Sequence, residues 1–130
     1  MARVTVVNDN PEFLELVADI LSDARYVTTL IDGDEPNAID LVHASNPDVL
    51  MIDLRMGNNE LHGWEIAQQV RAHEALAGLP ILVCSADSRA LTEVGRHLDA
   101  TNSVATLSKP FNIDDLCGAL DGLISQGASR

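Results

Sequence analysis

Four residues that could do chemistry each stand at the end of a short apolar run. They are two carboxylates, a hydroxyl and an ammonium, at Asp9, Asp53, Ser85 and Lys109. Short apolar runs that alternate with helical patterns predict buried parallel strands, and the carboxyl ends of such strands meet at one edge of an open sheet. Because these strand ends converge, we expect the four side chains to form one shared site. In such a site a carboxylate is a candidate nucleophile and an ammonium is a partner for an anion.

The hydrophobic pattern predicts five strands that alternate with five helices. The strands are expected at 3–8, 26–31, 48–53, 80–84 and 103–107, and the helices at 11–23, 36–45, 64–74, 88–98 and 112–124. Asn10 and Asn112 are predicted helix caps, because an asparagine side chain can accept from the backbone of the first turn. Alternating units of this kind predict a parallel sheet with helices on both faces.

The bulk composition is typical of a single domain in a reducing compartment. We expect one domain over residues 1–125 and a frayed polar tail over 126–130. No export signal opens the sequence and no apolar run is long enough to span a membrane, so we expect a cytoplasmic protein. Cys84 and Cys117 fall on apolar faces and are predicted to be reduced core residues.

The charge balance indicates which partners the chain can have. It carries 20 acidic and 8 basic residues, a net charge of −12. Such a surface repels phosphate backbones and anionic lipids, so neither nucleic acid nor membrane is an expected partner. Other proteins with basic or apolar patches are expected instead. The alternative is that the acidic excess only keeps a small domain in solution.

The sequence resembles the receiver domain of bacterial two-component response regulators over nearly its whole length. The segments that carry the resemblance, in chain order, are Val6–Pro11, Asp32–Glu35, Pro47–Met56, Leu79–Ala86 and Lys109–Phe111. Each fragment is weak alone, but their order and spacing together are specific. The resemblance implies a flavodoxin-like fold, an α/β doubly wound sheet of five parallel strands in the order 2-1-3-4-5 with five helices.

The resemblance also implies a role for each residue at the sheet edge. Asp53 is expected to accept a phosphoryl group, and Mg²⁺ is expected to offset the repulsion between carboxylates and phosphate. Its ligands would be the carboxylates of Asp9 and Asp53 and the backbone carbonyl of Arg55, with Asn8 acting through water.

Two further residues are expected to handle the phosphoryl group itself. Lys109 would pair with it as a point charge, and Ser85 would donate a hydrogen bond to one of its oxygens. The resemblance also implies a cis bond between Lys109 and Pro110.

The sequence departs from the family pattern at several positions. Asn8 replaces one of two usual acids, which removes a charge and should weaken Mg²⁺ binding. The loop after Asp53 is longer than usual and has Gly57 in place of a proline, so we expect a mobile rim. Thr106 stands where an aromatic switch residue is common. Arg55 and Asp87 are expected to form an ion pair over the site entrance and to slow attacking water.

These observations favour a receiver that takes a phosphoryl group from a sensor histidine kinase or histidine phosphotransfer protein. It would then signal to a downstream protein, and would catalyse only its own phosphorylation and dephosphorylation. The first alternative is a degenerate receiver that binds proteins without phosphorylation. The second is an aspartate-nucleophile phosphatase, which is disfavoured because Arg55 stands where those enzymes place a second aspartate.

Overall fold

Five strands and five helical segments alternate along the chain. The computed structural model describes residues 2–54, 62–87, 89–93 and 104–128. The strands are β1 Arg3–Asn8, β2 Val27–Asp32, β3 Val49–Asp53, β4 Ile81–Ser85 and β5 Val104–Ser108. The helices are α1 Pro11–Asp23, α2 Ala38–Ser45, α3 His62–Ala72, the helical residues 89–93 as α4, and α5 Ile113–Ala128.

All five strands are parallel and form one sheet in the order β2-β1-β3-β4-β5. This confirms the predicted fold class and strand order. The register pairs Asp53 with Cys84 and Ser85 with Ser108, so the last residues of β3, β4 and β5 lie at the same edge. The ends of these three strands therefore meet at one edge of the sheet. They carry Asp53 and Ser85 and directly precede Lys109.

The sheet is covered on both faces, and its side chains alternate between two apolar layers. One layer, here the α2–α3 layer, holds strand residues that include Val7, Leu50, Ile52, Ile81 and Val83. The other, the α1–α5 layer, holds Val4, Val6, Val49, Met51, Leu82 and Cys84. Both layers are buried, which explains why the strands are nearly continuous apolar runs in the sequence.

The predicted helix caps are confirmed. The Asn10 side chain accepts from the backbone N–H of Glu12 at 3.0 Å and of Phe13 at 3.3 Å. Asn112 accepts from the N–H of Asp115 at 2.7 Å, and the Asp115 carboxylate accepts from the N–H of Asn112 at 3.4 Å. This reciprocal pair satisfies two backbone donors at the start of α5.

Some predicted bounds differ from the structure. Helix α3 begins at His62 rather than 64, because the N–H of Gly63 bonds to the carbonyl of Leu54 at 3.0 Å and so attaches the helix start to the end of β3. Helix α5 ends at Ala128 rather than 124, since no proline stops it where its apolar face ends. Residues 94–98, the predicted second half of α4, lie outside the described residues.

Both cysteines are free thiols in the structure, Cys84 buried and Cys117 half-buried. Among the residues that the structure describes, no helix is both long and apolar enough to cross a membrane.

Candidate functional site

Asp53 is the centre of the site at the carboxyl edge of the sheet. It ends β3 and is only 9% exposed. One oxygen of its carboxylate, Oδ2, accepts from the side-chain amide of Asn8 at 3.1 Å and forms an ion pair with the Lys109 ammonium. A buried carboxylate needs such donors, because the charge has lost most of its contact with water.

The alternation of the strands explains why these three side chains meet. Asn8 follows Val4 and Val6 on the face of β1 that packs in the α1–α5 layer, and Asp53 follows Val49 and Met51 on the same face of β3. On β5, Ala105 and Leu107 pack against that layer, and Lys109 is the next residue of the same parity. The three polar side chains therefore continue one face of the sheet beyond its apolar part.

Asn8 connects the carboxylate to the start of α1. The residue is 3% exposed, and its Oδ1 accepts from the backbone N–H of Asn10 at 2.8 Å while its Nδ2 donates to Asp53. An aspartate at this position could accept from Asn10 but could not donate to Asp53. The Asn8 amide therefore makes a bond to Asp53 that a carboxylate at this position cannot make.

Lys109 is held by its backbone and by its side chain. Its N–H donates to the carbonyl of Ser85 at 2.9 Å, and the Lys109–Pro110 bond is cis, as the resemblance implies. The ammonium nitrogen lies 4.3 Å from the centroid of the Phe13 ring, and the side chain is 25% exposed. Lys109 is the only lysine in the sequence, so the site holds the one ammonium side chain of the protein.

Ser85 reaches the same edge from the other face of the sheet. The residue is 2% exposed, and its side chain lies on the same face as those of Ile81 and Val83, which pack in the α2–α3 layer. Its hydroxyl oxygen accepts from the N–H of Asp87 at 3.0 Å, and the Asp87 carboxylate accepts from the N–H of Ala90 at 3.0 Å at the start of α4. In this conformation Ser85 contacts the chain that leads into α4.

Of the remaining predicted ligands, only Asp9 lies within the described residues. Asp9 directly follows β1 beside Asn8 and is partly exposed. Arg55, the expected source of a backbone ligand and of an ion pair with Asp87, lies outside the described residues, as does Gly57. The expected pair over the site entrance therefore stays a prediction, while Asp87 has the observed role of capping α4.

Gly63 is a residue of the site that sequence reasoning missed. A Cβ atom at this position would lie 1.8 Å from the backbone oxygen of Asp53 and 2.9 Å from Cα of Leu54. No side chain fits there, so glycine lets α3 approach the end of β3. A glycine near the start of a predicted helix was the available signal, because glycine is unfavourable in helices without a packing reason.

The donor chemistry at this edge suits a hard cation. Asp9 and Asp53 offer carboxylate oxygens, which Mg²⁺ prefers, and Mg²⁺ typically takes one or two carboxylates and keeps several waters. Among the described residues, no group of three or more histidine, cysteine or acidic side chains is arranged to hold a metal ion. The carboxylates of Asp9 and Asp53 therefore fit the kind of donor that Mg²⁺ prefers.

Cys84 lies under the site as a neutral group. Burial raises the pKa of its thiol to about 12, the nearby Lys109 opposes this shift, and Asp53 adds to it. A thiol that stays protonated at neutral pH is a poor nucleophile. Cys84 is therefore part of the apolar floor of the site and not a competing reactive group.

An apolar groove opens next to the ammonium. Its volume is about 370 Å³, and it lies between α1 and the chain that joins β5 to α5. Phe13, Leu16 and Ile20 line it from α1, and Lys109 and Phe111 line it from the other side. Ligand sites in proteins are typically concave and mostly apolar, with a few polar groups at their edge, as this groove is.

Comparisons with known proteins agree with this arrangement. A family model described as the response regulator receiver domain matches residues 4–121. The chain is 30% identical over 128 residues to hybrid signal transduction histidine kinase D of Dictyostelium discoideum, and the match covers 98% of this chain. The chain spans only 8% of the length of that kinase.

Solved structures show the same fold. The Vibrio cholerae chemotaxis protein CheY4 superposes with a TM-score of 0.78 at 28% identity, covering 95% of this chain and 98% of CheY4. The receiver domain of the Pseudomonas aeruginosa sensor histidine kinase PA1611 superposes with a TM-score of 0.76 at 24% identity, with coverage of 95% and 98%. That receiver was solved with a magnesium ion in its active-site cleft.

Proposed function

Because the chain belongs to the response regulator receiver domain family, we propose that it is a phosphoacceptor of a two-component relay, with Asp53 as the acceptor. The observation that carries the proposal is the buried Asp53 carboxylate, held by Asn8 and by the only lysine of the chain at one sheet edge. Holding a carboxylate in a largely buried ion pair costs desolvation energy, and this cost favours a functional reason for keeping it. The chain would act on itself and would not turn over a free metabolite.

The proposed reaction moves a phosphoryl group from a histidine to Asp53. An Asp53 oxygen attacks phosphorus, the O–P bond forms, and the P–N bond of the phosphohistidine breaks. The imidazole nitrogen leaves with the electron pair and takes up a proton. Lys109 shifts N–H donors from the carboxylate to the new phosphoryl oxygens, and Ser85 donates to another once its hydroxyl turns from Asp87.

Mg²⁺ is the cofactor that we propose for this step. Asp9 and Asp53 would hold it together with the Arg55 carbonyl, and Asn8 would contribute through water. When bound, it would neutralise the negative charge that gathers as phosphate approaches two carboxylates. The magnesium in the PA1611 receiver supports this proposal through the shared fold.

The groove beside Lys109 is the proposed docking place for the histidine donor. It is apolar, and exposed acidic residues flank it, among them Glu12, Glu15 and Asp19 on α1 and Asp114 on α5. We therefore expect the donor, a sensor kinase or phosphotransfer protein, to present apolar side chains with lysine or arginine beside them. A second, downstream protein would read the modified state, and both encounters would take place in the cytoplasm.

The proposal is tested by treating the chain with acetyl phosphate and Mg²⁺ and measuring its mass. We expect a species heavier by about 80 Da, the mass of one phosphoryl group. Fragmentation should place it on Asp53, and the Asp53→Asn variant should lack it. If the unmodified chain gains no mass under conditions that modify another receiver, the chain is a phosphorylation-independent binding module instead.

A further inference from the structure

The Lys109 ammonium has a second contact besides Asp53. Its nitrogen lies 4.3 Å from the centroid of the Phe13 ring, well within the range of a cation–π interaction. Lys109 follows β5 and Phe13 lies in the first turn of α1, so this contact joins two elements that are far apart in the sequence. No step of the proposed phosphoryl transfer involves Phe13.

The backbone of Phe13 is held in the first turn of α1. Asn10 caps the helix and accepts from the Phe13 N–H at 3.3 Å, and Pro11 is the first helical residue. The ring is half-buried and packs against the α1–α5 layer. The cap and the packing together place the ring face beside the ammonium.

An aromatic ring can hold an ammonium without occupying the N–H donors of the ammonium in hydrogen bonds to oxygen. The ring attracts the charge through its quadrupole but offers no lone pair of an oxygen acceptor. A carboxylate in the same place would compete with Asp53 for the ammonium. The ring contact therefore leaves the donors of Lys109 available for a carboxylate or for phosphoryl oxygens.

We propose that Phe13 is a positioning residue that holds the Lys109 ammonium against Asp53 and keeps it there when a phosphoryl group is added. The second half of this inference rests on the proposed function, whereas the first half concerns the unmodified protein. An NMR measurement on the unmodified protein tests the first half, and a rate of phosphorylation tests the second.

The first measurement uses the unmodified protein. Because Lys109 is the only lysine, labelling lysine with ¹³C gives NMR signals from this side chain alone. The protons next to its nitrogen should be shifted upfield by the ring current of Phe13. We expect Phe13→Leu to remove this shift and Phe13→Tyr, which keeps an aromatic face, to retain it.

The second measurement is the rate at which acetyl phosphate and Mg²⁺ modify Asp53. We expect Phe13→Leu to slow it by roughly three- to tenfold, in line with the usual strength of a cation–π contact. Phe13→Tyr should restore the rate. Leu30→Ala, a change at an exposed apolar residue of β2, is the control and should leave the rate unchanged.

The outcomes separate this inference from the proposed function. Unchanged NMR shifts and rates in Phe13→Leu, or an equal loss in Phe13→Tyr, would overturn the role of Phe13. If Asp53 takes no phosphoryl group in any variant but the NMR shifts change as expected, the positioning of Lys109 stands and the proposed function fails. Should Phe13→Leu not fold, Phe13→Met takes its place in both measurements.

Discussion

The side-chain amide of Asn8 donates to Oδ2 of Asp53 at 3.1 Å, and both side chains are buried. The bond is available only because residue 8 is an amide and not an acid. It satisfies one acceptor position of the buried Asp53 carboxylate. Compared with an aspartate at this position, Asn8 therefore has two opposite effects. It lacks a negative charge that would attract Mg²⁺, and it adds an N–H donor that stabilises the Asp53 carboxylate.

Asn8→Asp should make the chain less stable without metal and a stronger binder of metal. Losing the hydrogen bond and adding a buried like charge should lower the free energy of unfolding in EDTA by about 1–3 kcal/mol. Urea unfolding with and without Mg²⁺ measures this, together with a metal titration. Asn37→Asp, which adds the same charge at an exposed position, is the control. Equal or tighter Mg²⁺ binding by the unmodified chain would contradict the prediction.

Gly63→Ala should disturb the edge of the sheet that carries Asp53, and it should do so through the backbone. The new Cβ would lie 1.8 Å from the Asp53 oxygen, so α3 or β3 must move, at a cost of about 1–3 kcal/mol in unfolding free energy. Gly118→Ala is the matched control: nothing lies within 4 Å of its Cβ, so it should stabilise α5 by up to about 1 kcal/mol. Chemical denaturation of the two variants checks the opposite signs. A neutral Gly63→Ala would mean that the close approach relaxes freely.

Tyr26 should make stability fall at alkaline pH. Burial, together with the hydrogen bond to the Asp121 carboxylate and the charge of that group, raises the pKa of the Tyr26 phenol well above its usual 10.0. The folded state holds the proton more tightly, so this stabilisation is complete below pH 10 and is lost as the pH rises further. Tyr26 is the only tyrosine, so phenolate absorbance reports it directly.

The variants Tyr26→Phe and Asp121→Asn test the cause of this dependence. Tyr26→Phe should remove it, and Asp121→Asn should bring the titration of the phenol closer to its usual pH because the neighbouring charge is gone. A phenol that titrates at the same pH in the folded chain and in urea would contradict the prediction.

The two thiols should differ in reactivity toward a disulfide reagent. Cys84 is buried and the pKa of its thiol is raised to about 12, while Cys117 is half-buried and its pKa is raised mainly by desolvation. In the folded chain we expect Cys117 to react slowly and Cys84 far more slowly still. Cys84→Ala should leave the faster phase unchanged, and Cys117→Ser should abolish it. Two equal phases in the unmodified chain would speak against the packing described for Cys84.

Much of the fold was predictable because the sequence repeats one simple unit. The apolar runs located all five strands to within a residue, and the asparagine caps located the starts of α1 and α5. The start of α3 was missed because it depends on a bond to the end of β3, which no local pattern encodes.

The site was predictable as a set of positions but not as a set of contacts. Strand ends place Asn8, Asp53 and Lys109 at one edge, and the alternation of the strands selects the face they share. The roles of Phe13 and Gly63 depend on how α1 and α3 approach that edge, which is a property of packing between distant segments. The orientation of Ser85 toward Asp87 likewise follows from the start of α4.

The strand alternation has a consequence for how this protein can misfold or evolve. If β3 slid by one residue against β1 and β4, the Asp53 carboxylate would move to the opposite face of the sheet, beneath α2 and α3 and away from Lys109. What prevents that slip is the burial of Leu50, Ile52 and Leu54 in the α2–α3 layer. A single-residue insertion or deletion within β3 would therefore separate Asp53 from Lys109 while leaving a strand of nearly the same composition.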